Sequence, residues 1–104
     1  MKIIDKAAWH IDAGVPEEFV VKHFQTVFYW LGQKDMLSDE GKEELEDGID
    51  SSASLNEDLV TPKALVFLEK CYDEYLRALE EVGIYGNDSS TAKLEELYFD
   101  FLKL

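Results

Sequence analysis

Residues 61–83 run TPKALVFLEKCYDEYLRALEEVG. Thr61 offers a capping hydroxyl, and Pro62 follows at the first helical position, where its fixed φ is already helical and its missing N–H is no loss. Leu65, Leu68, Cys71, Tyr72, Tyr75, Leu76, Leu79 and Val82 then recur at three- and four-residue spacing and form one apolar face. On the other face Lys70 and Glu74, Asp73 and Arg77, and Arg77 and Glu81 fall at i,i+4. Gly83 supplies the stop. The segment reads as an amphipathic helix of about 20 residues that must bury its apolar face against something else.

The flanking sequence supplies that partner surface. Downstream, Gly86-Asn87-Asp88-Ser89-Ser90 is a turn rich in potential caps, after which Leu94, Leu97, Tyr98, Phe101 and Leu102 repeat at helical spacing. Upstream, Asp50 to Asn56 reads as a loop of turn formers. Before it, Ser38 is placed to cap a short helix running to about Asp47, with Leu45 and Ile49 as its few apolar anchors and Gly48 as its end. A longer helix opens at Pro16, with Glu17 and Glu18 complementing its dipole. Its Phe19, Val20, His23, Phe24, Val27, Phe28, Trp30 and Leu31 cover more than half of its circumference, so it should lie at the centre of the fold, with Gly32 ending or interrupting it. Met1 to Gly14 is poorly patterned: Ile3 and Ile4 suit a short edge strand, while Ala7, Ala8, Trp9 and Ile11 suit an extended segment or a single turn.

The expectation is an all-α fold, a small bundle of about four helices with a short extended N-terminal segment. Residues 1–104 make one domain, with Phe24, Phe28, Leu68, Tyr72, Leu76, Leu97 and Phe101 in its core. At 104 residues and 46% hydrophobic content there is room for one core and not two. A single cysteine cannot form an internal bridge and fits a reducing compartment. No apolar run approaches the 18 or so residues of a membrane span, and no leader pattern opens the chain, so a cytoplasmic protein is expected.

Charge separates the function classes. Ten Lys and Arg against 23 Asp and Glu give a net charge of −13, which opposes direct binding to nucleic acid or to an anionic membrane. The acids are concentrated. Between Asp35 and Asp58 stand ten acidic residues against Lys42 alone. Asp39, Glu40, Glu43, Glu44, Glu46, Asp47, Asp50, Glu57 and Asp58 are the candidate partner-binding residues. Glu40, Glu43, Glu44 and Asp47 share one helical face, where like charges repel.

Catalytic and metal chemistry find little support. The candidate ligands His10, His23 and Cys71 form no spaced pair. His23 falls on the apolar side of its helix and reads as a hydrogen-bonded core histidine; Cys71 reads as a small buried hydrophobe. Trp9 is expected to cap the core with its indole, and His10 to face a backbone carbonyl. The carboxylates look solvated, and no phosphate loop, nucleophile elbow or zinc-protease motif is present. No catalytic residue, metal or cofactor is assigned.

Asp5-x-x-Ala8-Trp9-His10, the Gly14-x-Pro16-x-Glu18 helix entry, His23, Trp30, and Thr61-Pro62 leading to Phe67-Leu68 and Cys71-x-Asp73 resemble a family of small acidic bacterial cytosolic proteins. That family is similar to the immunity proteins of polymorphic and contact-dependent toxins, single domains that plug a toxin's active site. The resemblance implies a non-enzymatic protein that binds a cognate, basic, nuclease-like toxin domain. A cytosolic adaptor or regulatory binding protein is the alternative. The apolar centre of such an interface would come from Trp9, Tyr85 or Tyr98.

Overall fold

The computed structural model describes residues 1–87 and 89–103. Its order is strand β1 (Ile3–Lys6), helices α1 (Ala7–Asp12), α2 (Glu17–Gln33) and α3 (Asp39–Asp47), strand β2 (Ser54–Asn56), and helices α4 (Pro62–Val82) and α5 (Ser90–Leu102). The chain is mostly helical. The described residues hold five helices instead of about four, together with a two-stranded antiparallel sheet. The additional helix is α1, in the segment read as extended or a single turn, and β2 occupies the expected Asp50–Asn56 loop.

Local chemistry accounts for the boundaries of α3 and α4. Thr61 accepts a hydrogen bond from Ala64 N, Pro62 follows it, and Gly83 closes α4 in the left-handed region at φ 69°. Ser38 caps α3 by accepting from Gly41 N, and its own hydroxyl donates to the Asp58 carbonyl at 2.6 Å. Gly32 does not end α2; it lies within the helix, where its missing side chain lets Leu45 and Leu37 approach. Of the expected turn at 86–90, Asp88 lies outside the described residues, while Asn87 Oδ1 accepts from both Ser89 N and Ser89 Oγ.

The core gathers the inward faces of α2, α4 and α5 and the strand residue Leu55. Phe24, Phe28, Leu68, Tyr72 and Leu97 are buried as expected, whereas Leu76 and Phe101 are only partly so. Phe19, expected on the apolar face of α2, is about half exposed because it sits in the first turn, at the edge of the packed surface. Val82 and Leu102 are likewise exposed at the ends of their helices. None of the three i,i+4 charge pairs of α4 closes into an ion pair among the described residues; Arg77 Nε instead donates to the Asp73 carbonyl.

Two features position the sites discussed below. The β1–β2 pairing (Ile3 with Asn56, Asp5 with Leu55, Lys6 with Ser54) is irregular between Ile3 and Asp5. Such a bulge re-aims side chains, and here Ile3 faces solvent while Asp5 turns inward. Helix α3 is held tightly at its start: a side chain on Gly41 would meet the Leu59 carbonyl oxygen at 2.0 Å.

Candidate functional site

The six acids of α3, Asp39, Glu40, Glu43, Glu44, Glu46 and Asp47, are all exposed, and no ion pair among the described residues involves any of them. Asp39 and Glu40 sit in the first turn, where the helix dipole favours negative charge. Glu43, Glu44, Glu46 and Asp47 crowd the other end, where it does not, and the last turn holds no basic residue. The remaining candidates are employed differently. Asp50 accepts from Ser52 N and Ser52 Oγ, the hydroxyl first and then the amide holding its carboxyl below the usual value. Glu57 accepts from Lys2 N beside the sheet, and Asp58 is exposed with its carbonyl committed to Ser38. The acidic surface is densest on α3, and the exposed carboxylates of Asp50 and Asp58 continue it.

Two hollows adjoin this helix on its α2 side and share Tyr29, Gln33 and Leu45 in their linings. Tyr29 is 59% exposed, and Leu45 is partly buried. An aromatic side chain and an aliphatic one are thus offered beside Glu46. Two of the anticipated anchors are engaged within the fold: the Tyr85 hydroxyl is hydrogen-bonded to His10 Nδ1, and Tyr98 packs edge-on against Trp30 and Phe67. Trp9 does not cap the core. It is half exposed, because α1 turns its neighbour His10 inward and leaves Trp9 on the outer side.

The second assembly is internal, and the sequence reading did not join its members. His10 faces no backbone carbonyl; its Nε2 lies 2.7 Å from Asp5 Oδ2 and its Nδ1 2.7 Å from the Tyr85 hydroxyl. Tyr72 donates to the same Asp5 oxygen at 2.6 Å, and His23 Nε2 lies 2.9 Å from the Tyr72 oxygen. Lys6 N donates to the other carboxylate oxygen, Oδ1. One assignment of hydrogens closes every bond. Asp5 is ionised and only accepts, Tyr72 gives its single hydrogen to Asp5, and His23 therefore donates from Nε2. His10 donates from Nε2 to Asp5 and, as the neutral ring, accepts from Tyr85 at Nδ1. His23 Nδ1 is left buried with no partner.

The environment tunes these groups. Burial alone would raise the Asp5 carboxyl, but its interactions with His23, Tyr72 and His10 outweigh that and hold it below its ordinary value. His23 Nε2 is 3.9 Å from Asp5 Oδ2, beyond hydrogen-bond length, so its influence passes through Tyr72 and through space. Burial lowers the His23 imidazole despite the nearby carboxylate, and raises the Tyr72 phenol well above its usual range, with Asp5 adding to the rise. Tyr75, one turn further along α4, is pushed up to about 12, chiefly by burial. Its hydroxyl and Ser90 Oγ are both buried without a hydrogen-bond partner; Ser90 is near enough to temper the phenol but is not aligned to close a bond. The Cys71 thiol is buried and raised by that burial and then by Glu74, which makes it a poor nucleophile, as the sequence suggested.

Asp5, His10 and His23 come from β1, α1 and α2, and their ligating atoms lie within 4.8 Å of one another. The expectation that the carboxylates are all solvated and that no metal-ligating groups converge thus fails at this one place. A clue was available: His23 and Tyr72 carry polar atoms on the core faces of two helices, and buried polar atoms need partners. No family model, curated protein or solved structure matches this chain.

Proposed function

We propose that this chain is an immunity-type protein, a stoichiometric inhibitor whose α3 face binds and neutralises a basic, nuclease-like bacterial toxin domain in the cytoplasm. The observation that carries the reading is the crowding of Glu43, Glu44, Glu46 and Asp47 at the C-terminal end of α3. Each acid in the last turn, Glu44, Glu46 and Asp47, costs about 0.3–1 kcal/mol against the dipole, and each like-charged pair, including those with Glu43, a few tenths more. A cationic cleft laid against α3 relieves both costs at once. The charge speeds encounter, while affinity needs a desolvated apolar centre, which Tyr29 and Leu45 supply next to the acids.

Binding suits this molecule better than catalysis. The histidine–aspartate cluster lies mostly out of reach of a substrate: His23 is fully buried, Asp5 nearly so, and the His10 side chain is 12% exposed. No helix among the described residues is long and apolar enough to cross a membrane.

Co-expression with a basic, nuclease-like toxin domain, sought first in the genes beside this chain, tests the proposal. Growth should be rescued by the wild-type chain and lost when Glu43, Glu44, Glu46 and Asp47 are reversed to Lys together. Rescue by the reversed variant, or the lack of any inhibited toxin, would favour an adaptor or regulatory role instead.

A further inference from the structure

We propose that Asp5, His10 and His23 form a binding site for one transition-series divalent cation, with zinc the best match. Two imidazole nitrogens and one carboxylate oxygen are the donor set that suits Zn2+ and its neighbours, and poorly suits Ca2+ or Mg2+. The three ligands are supplied by three different elements, so the fold, and not a flexible loop, fixes their convergence.

The distances fit with modest adjustment. Zinc–ligand bonds of about 2.0–2.2 Å in a tetrahedral site place neighbouring ligand atoms roughly 3.4 Å apart. The Asp5–His10 pair at 2.7 Å must open by less than 1 Å, the Asp5–His23 pair at 3.9 Å must close by about half of one, and no pair exceeds 4.8 Å. His10, whose side chain is 12% exposed, lies on the path of entry.

The surroundings are those of a ligand site as well. Tyr72 donates to Asp5 Oδ2 and Lys6 N to Oδ1, orienting the carboxylate from outside the ligand set. Tyr85 engages His10 at Nδ1, the nitrogen that a metal bound at Nε2 leaves over. Among the described residues no Lys or Arg pairs with the buried Asp5 carboxylate; a protonated His10 at 2.7 Å and the hydrogen bonds are its only counterweights, and a bound cation neutralises it directly. Binding moves the proton of each imidazole from Nε2 to Nδ1. At His10 that proton is then donated to the Tyr85 oxygen. At His23 an unpartnered acceptor becomes an unpartnered donor, the Tyr72 oxygen gives up its bond from His23 Nε2 but keeps its own donation to Asp5, and the Tyr85 hydrogen turns away from His10.

Titration of the full chain, stripped with a chelator, with Co2+ and then Zn2+ tests this. One equivalent of Co2+ should produce the intense visible absorption of a low-coordinate site with nitrogen ligands, and one equivalent of Zn2+ should abolish it. His10→Gln and His23→Gln should weaken Zn2+ binding by more than the roughly 10- to 100-fold expected for loss of an outer partner, and Tyr85→Phe by an amount within that range. Neutralising α3 with Glu43→Gln, Glu44→Gln, Glu46→Gln and Asp47→Gln should leave the one-equivalent site intact. Should His23→Gln not fold, the wild-type cobalt spectrum and His10→Gln at the rim decide the matter. The absence of that cobalt absorption, or binding that His10→Gln spares and α3 neutralisation removes, would overturn the proposal.

Discussion

Tyr72 and Tyr75 lie on the same face of α4, are both buried, and should respond in opposite ways to loss of the hydroxyl. Tyr72→Phe removes the donor to an ionised carboxylate at 2.6 Å and the acceptor of the His23 Nε2 hydrogen at 2.9 Å. A hydrogen bond to a charged group contributes about 1.5–3 kcal/mol, and a buried donor left unsatisfied costs about 1–3 kcal/mol. Some of this returns through the more apolar side chain, so a loss of about 3 kcal/mol is expected. Against a total stability of roughly 5–15 kcal/mol for a natural domain, that is a large fraction. Tyr75→Phe removes a hydroxyl that has no partner and should be neutral or slightly stabilising. Urea unfolding of chelator-treated protein, followed by circular dichroism and by fluorescence of the buried Trp30, measures both. A Tyr72→Phe loss below about 1 kcal/mol, or equal losses for the two variants, would refute the hydrogen-bond assignment.

The same cluster sets the pH dependence of the chelator-treated chain. The Asp5 carboxyl and the His23 imidazole are both lowered by folding, so each contributes stability that is complete above its unfolded value, 3.8 and 6.5 respectively. Denaturant midpoints should begin to fall as pH drops below 6.5 and fall again below 3.8, and Asp5→Asn should remove the second step. At the other extreme the Tyr75 phenol is raised, so stability present below its ordinary value of 10 is lost as pH climbs towards 12, and Tyr75→Phe should make that limb shallower while the raised Tyr72 and Tyr85 phenols maintain the rest of it. Gly41→Ala places a methyl group 2.0 Å from the Leu59 carbonyl oxygen, part of the backbone that cannot swing aside. Thermal unfolding should reveal a loss of at least the 1–3 kcal/mol typical of overpacking, whereas Gly48→Ala meets no atom within 4 Å and suffers only the strain of its φ of 104°.

The helices were legible because their signals are local. Thr61-Pro62, Gly83 and the apolar stripe between them specify α4 without reference to the rest of the chain, and Ser38 and Gly48 do the same for α3. The first fourteen residues were not legible, because β1 exists only by pairing with β2 about fifty positions away, and α1 has no side-chain cap to announce it. The acidic face could be read because its residues are near neighbours on one short helix, and because carboxylates without partners stay exposed. Its apolar neighbour Tyr29 could not, since whether an aromatic on a mostly buried helix faces in or out depends on where α3 crosses it. The Asp5–His10–His23 assembly was the least accessible: a five-residue step across a strand–helix junction, a bulge and two distant helices have no common period.

An acidic α3 face shaped for a basic protein partner makes the rate of association depend on salt. Stopped-flow or surface-based kinetics should be measured with the cognate basic toxin domain, for the wild-type chain and for the variant with Glu43, Glu44, Glu46 and Asp47 all changed to Lys. These side chains are exposed and unpaired among the described residues, so the variant should retain its circular dichroism spectrum. The wild-type rate should fall steeply as ionic strength rises, and the variant should associate about 10- to 1,000-fold more slowly at low salt, the range over which electrostatic steering acts. Equal rates for the two proteins at low salt, with no dependence on ionic strength, would contradict the account.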